Sequence, residues 1–139
     1  MKIIFYVFII VIGCGIVGCG QSSSTATLYE EVMSVHDSVM PKMSDMERAQ
    51  RKLRAQLEDK NIPKDSATQQ LILDRIGDLE TSGEAMMQWM GDFKEPAETT
   101  PKAEAVKYLN IELLKIEEVK KDMLQSLAQA DSLLATLPK

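Results

Sequence analysis

Apolar residues recur at alternating spacings of four and three along three stretches of this chain, and two breaks separate those stretches. That rhythm keeps one stripe of a helix facing a partner. It cannot serve a strand, whose side chains change faces at every residue. In the first stretch Leu28, Val32, Val35, Val39, Met46, Leu53 and Leu57 hold the stripe, with Lys42, Ala49 and Gln56 filling the gaps. Ile72, Ile76, Leu79, Met86, Met90 and Phe93 carry the second, with Gly83 as one small step. The third runs through Val106, Leu109, Leu113, Ile116, Met123, Leu127, Ala130, Leu134 and Leu137, interrupted by Lys120. Asn61-Ile62-Pro63-Lys64 forms the first break, and the run from Gly91 to Pro101, with Pro96 inside it, forms the second.

Start signals agree with this division. Thr27 and Glu30 have capping-box spacing, Ser66 stands three residues before Gln69, and Thr100 precedes Pro101. Proline at a first helical position loses an N–H that has no partner there anyway. The spacing predicts helices over about 27–60, 65–91 and 101–137. Short connections fold them into an all-α, antiparallel up-down-up three-helix bundle of coiled-coil character, with one extended coiled coil as the alternative. Pro41 removes an i to i−4 hydrogen bond and frees the Asp37 carbonyl, so the first helix is expected to kink there. With 5% aromatic residues, seven Gly and five Pro, the chain does not read as a β-sandwich or barrel.

Ahead of the bundle, Lys2 precedes an apolar run from Ile3 to Val17. The run is shorter than the ~20 residues a membrane-crossing helix needs, and it reads as a secretory leader. Its end, Ile16-Val17-Gly18-Cys19, resembles a bacterial lipobox. That resemblance implies that residues 1–18 are a lipoprotein signal peptide and that Cys19 is acylated after cleavage. Residues 19–26 would then be the lipidated cysteine and a polar tether, followed by the bundle over 27–139. Val11-Ile12-Gly13-Cys14 permits the same reading with a shorter apolar core, and an uncleaved anchor is the other alternative. Several acyl chains hold stably, at ~0.8 kcal/mol per buried CH₂. Both cysteines lie in the export segment, so the body is expected to be stable without disulfides. No acidic cluster follows Cys19, and the expected location is the cell membrane or outer membrane, lipid-anchored and facing the periplasm.

A length of 139 residues allows one such domain. Sixteen basic against 21 acidic residues give a formal charge of −5, which disfavours nucleic acid as a partner. One histidine and no thiol in the body leave few nucleophile and base combinations, so the chain is not expected to be an enzyme. The short basic run of Arg48, Arg51, Lys52 and Arg54 reads as a solvated face.

One cluster stands out. Met33, His36, Met40 and Met43 recur at spacings of three, four and three around Pro41. A fold-back near residues 62 and 63 places His36 level with Trp89, Met33 with Asp92 and Met40 with Ala85. Met86, Met87 and Met90 then share those layers, and a second turn about residue 97 adds Val106 and Tyr108. Seven of the nine methionines, the one histidine and the one tryptophan gather in the half nearest the leader. Packing is one reading, because methionine fills the irregular gaps beside a kinked helix. The other is a soft-metal site for Cu(I) or Ag(I), with Met33, His36, Met40, Met43, Met86 and Met90 as ligands and the Trp89 ring over the cation. Such a ligand set resembles that of small periplasmic copper and silver chaperones in chemistry alone, since those are β-barrels.

The stretches His36-Asp37-Ser38-Val39-Met40-Pro41-Lys42-Met43 and Met86-Met87-Gln88-Trp89-Met90 resemble uncharacterised small helical lipoproteins of Bacteroidetes-type bacteria. Some of these carry the label of a viral A-type inclusion protein. The resemblance implies an anchored helical body and supplies no activity or ligand. The expected function is that of a membrane-anchored lipoprotein whose bundle is a non-catalytic binding or interaction module in the cell envelope. The alternatives are soft-metal binding or sensing, and a structural spacer. The expected partners are the membrane, through the anchor, and a protein not identified by the sequence.

Overall fold

A computed structural model describes residues 24–60, 62 and 66–137. Cys19, Cys14 and the whole leader lie outside the described residues. Four helices occupy that span: α1 Thr25–Val39, α2 Lys42–Glu58, α3 Ala67–Asp92 and α4 Lys102–Thr136. No strand occurs among the described residues. Consecutive helices α1 and α2 make up the expected first helix, so three helical arms pack together. α4 lies against α1, α2 and α3, while α2 also packs on α3.

The first arm is interrupted at Met40 and Pro41. Both residues keep helical dihedrals, with φ −51° and ψ −41° at Met40 and φ −59° and ψ −21° at Pro41. The chain bends here, at a position where Pro41 has no N–H to give to Asp37. On either side, the Met40 N–H donates to the His36 carbonyl at 2.9 Å and the Met43 N–H to the Met40 carbonyl at 3.1 Å.

Capping corrects two of the expected starts. Ser66 caps α3 as expected, its side chain accepting from the Gln69 N–H at 3.2 Å. α1 begins before Thr27, because Ser24 Oγ accepts the Thr27 N–H at 3.1 Å and so moves the cap back one turn. α4 begins one residue late. Pro101 is extended (φ −53°, ψ 132°) and acts as the N-cap through its carbonyl, which accepts from the N–H groups of Glu104 and Ala105.

The core follows the stripes closely in the first two arms. Leu28, Val32, Val39, Met46, Ala49 and Leu53 are buried, as are Ile72, Ile76, Leu79 and Met86. In α4 the inward line is Ala105, Leu109, Glu112, Ile116, Met123, Ser126 and Ala130. Leu113 and Leu127, expected inside, instead flank the core, and Glu112 and Ser126 take the inward positions. The α3–α4 register also differs from a turn about residue 97. Trp89 meets Glu112, about two helical turns beyond the position that turn predicts, and Ser82 meets Ser126. Phe93 at the end of α3 (φ −60°, ψ 131°) and Pro101 at the start of α4 are both extended, so the connection is not the tight turn about residue 97 that the expected register needs.

Candidate functional site

Trp89 stands where all three arms meet. Its ring lies 5.7 Å from the His36 imidazole of α1, so the predicted level of these two residues holds. Its indole Nε1 donates to Glu112 Oε2 of α4 at 3.1 Å. Below, it stacks on Phe93 at 4.9 Å, and Phe93 contacts Tyr29 and Tyr108, both at 6.2 Å. Every aromatic residue among those described belongs to this column. The Tyr108 hydroxyl accepts the Lys94 backbone N–H at 2.9 Å, which ties the start of the connection to α4.

Glu112 is the charged residue of the junction, and it is buried. A carboxylate out of water is costly unless its oxygens are bonded. Here one oxygen accepts from the indole and the other from Lys115 Nζ at 2.8 Å. The Glu112 hydrogen bond, and then its negative charge, hold the Lys115 ammonium above the ordinary lysine value. Sequence reasoning missed Glu112 because its charge hid it. Its spacing, three after Leu109 and four before Ile116, marked it as inward.

The other predicted residues separate into two environments. His36 is partly buried, and its Nδ1 bonds to Asp37 Oδ1 at 2.9 Å. Met86 is fully buried core, Met40 and Met90 pack half-buried against that core, and Met33 is half-buried on α1. Pro41 is exposed at the bend. Met43 belongs elsewhere, on the α2–α3 face. There Met43, Met46 and Met87 line a groove of about 250 Å³ with Gly83 in its wall. The basic run is exposed, with Arg48 paired to Asp45, Arg51 to Glu47 and Arg54 to Glu80.

Among the described residues, no three His, Asp or Glu side chains converge as a hard-metal site. No described helix is long and apolar enough to cross a membrane. No family model, curated protein or solved structure matches the chain.

Proposed function

We propose that this chain is a lipid-anchored protein of the bacterial cell envelope whose helical bundle works by binding rather than catalysis. The observation that carries the reading is the order of its parts. An apolar leader ends in Ile16-Val17-Gly18-Cys19, a few polar residues follow, and the body opens at Ser24 with a capped helix. Acylation of Cys19 would hold that body against the periplasmic face of a membrane, with the Trp89 junction at the near end.

Side chains with chemical potential are engaged in structure. The His36 imidazole bonds to Asp37, Glu112 to Trp89 and Lys115, and Ser82 to Ser126 at 2.8 Å. Numbers descending from Lys94, just past α3, through Trp89, Ser82 and Arg75 pair with ascending α4 residues Tyr108, Glu112, Ser126 and Gln129. This supports an up-down-up bundle, and the missing Pro41 donor supports a kink in its first arm. The stretches that resemble small helical lipoproteins also supply His36, Trp89, Met43 and Met87, which build the junction and the groove.

Metabolic labelling with palmitate in a bacterial host tests the anchor. Label and membrane association are expected in the native chain and in Cys14→Ser, and their loss in Cys19→Ser. Label retained in Cys19→Ser and lost in Cys14→Ser would move the anchor to the earlier cysteine. No label in the native chain would overturn the reading.

A further inference from the structure

The α2–α3 groove differs in kind from the junction beside it. Met43 and Met46 stand three apart on α2, and Gly83 and Met87 stand four apart on α3, so each pair shares one helix face. A Cβ built on Gly83 would lie 3.7 Å from the Met43 methyl and 3.9 Å from the Met46 methyl. The two thioether ends therefore converge over the same patch of bare backbone. Met87 opens onto the same groove.

Two features go beyond packing. Met87 is 57% exposed and opens the groove to solvent, whereas Met46 reaches it from the buried core, in which Met86 and Met123 are also buried. Gly83 is not forced by crowding, since the distances to an added Cβ are ordinary contacts. Glycine inside a helix costs about 1 kcal/mol against alanine, yet here it keeps the floor of a methionine-lined groove open. Glu47, Glu80 and Glu84 also line it, the first two paired with Arg51 and Arg54.

We infer that this groove is a binding site for a soft monovalent cation, Cu(I) or Ag(I), held by the thioethers of Met43, Met46 and Met87. Thioether sulfur is a soft, neutral donor that prefers such ions to Zn²⁺ or Ca²⁺. The site rests on the reading of the chain as a binding module and gives that module its ligand. It shares only Met43 with a set centred on His36. The imidazole stays with Trp89 and Asp37.

The test uses the full chain carrying Cys14→Ser and Cys19→Ser, so that thiols do not compete, purified in detergent with methyl-¹³C methionine. Titration with Ag(I) is expected to reach a one-to-one end point, with the Met43, Met46 and Met87 methyl resonances moving together. Met87→Leu removes a sulfur from an exposed position with little change in volume. It should weaken the apparent affinity at least tenfold while far-ultraviolet circular dichroism stays native. His36→Ala should leave the affinity unchanged. An undiminished affinity in Met87→Leu, or no saturable shift of these three methyls, would overturn the site. Palmitate labelling is independent of that result, so loss of the ion site alone leaves the anchored module standing.

Discussion

The first arm and the last arm cover similar lengths of the bundle in different ways. α4 runs unbroken for 35 residues, whereas α1 and α2 reach a similar length only with an interruption at Met40 and Pro41. Methionines crowd the broken arm, with Met33, Met40, Met43 and Met46 spread on either side of the bend. The continuous arm instead places two polar residues inward, Glu112 and Ser126, each bonded to a named partner on α3. A bent backbone leaves uneven gaps, and an unbranched, flexible side chain fills them. A regular backbone repeats its geometry turn after turn, so polar pairs can select one register among several similar ones. Irregularity is absorbed by softness on one side, while register is set by directed bonds on the other.

The largest expected effect comes from breaking the bond that joins the two styles. Trp89→Ala removes a buried ring that touches α1 and α4, and it leaves Glu112 without its indole donor. The expected loss is about 3–5 kcal/mol in urea unfolding. Trp89→Phe separates the parts, because it keeps most of the ring and removes only the N–H. That variant should still lose about 1–3 kcal/mol, the cost of an unsatisfied buried acceptor. If Trp89→Phe matched the native chain, the Glu112 bond would have no role in stability, and the register argument for α4 would fail.

Healing the break comes next. Met40 and Pro41 already have helical dihedrals, so Pro41→Ala needs no rearrangement and restores a donor facing the Asp37 carbonyl. A gain of roughly 1–2 kcal/mol is expected in the same unfolding assay. The recovered hydrogen bond outweighs the freedom that the unfolded chain regains, which by itself lowers stability. A loss of stability would mean that the bend itself is needed to seat Met40 and Met43, and the two arms would then differ by design rather than by one missing donor.

Much of this arrangement was legible before any coordinates, for reasons that differ by region. The 4-3 stripes located the core in the first two arms because their inward positions are mostly apolar. The level of His36 and Trp89 followed from placing the fold-back near residues 62 and 63. Between α3 and α4 the same arithmetic failed, since Phe93 and Pro101 are extended and the connection is not a tight turn about residue 97. In α4, the habit of assigning apolar residues inward favoured Leu113 and Leu127 over Glu112 and Ser126. Met46 and Met87 were counted with the methionine-rich half, but their convergence with Met43 over Gly83 depends on how α2 turns against α3. That rotation is set by packing, which a stripe of seven or eight residues constrains only loosely.

The smallest effect is the most specific to α4. The Lys115 ammonium is held above the ordinary lysine value, chiefly by its hydrogen bond to Glu112. A group whose folded value is raised contributes stability that is complete below its unfolded value and is lost as pH climbs through the folded one. The contribution is therefore intact at neutral pH and fades only above about 10.5, the ordinary lysine value. Lys115 is largely exposed, so solvent screens the pair and the effect is small. Comparing urea unfolding of the native chain and Lys115→Met between pH 7 and pH 11 reads it directly. The native advantage should shrink above pH 10.5, while the extra loss caused by Trp89→Phe persists at both ends. A native advantage that stayed constant with pH would come from the packing of the lysine stem. Glu112 would then be held inside α4 by the indole alone.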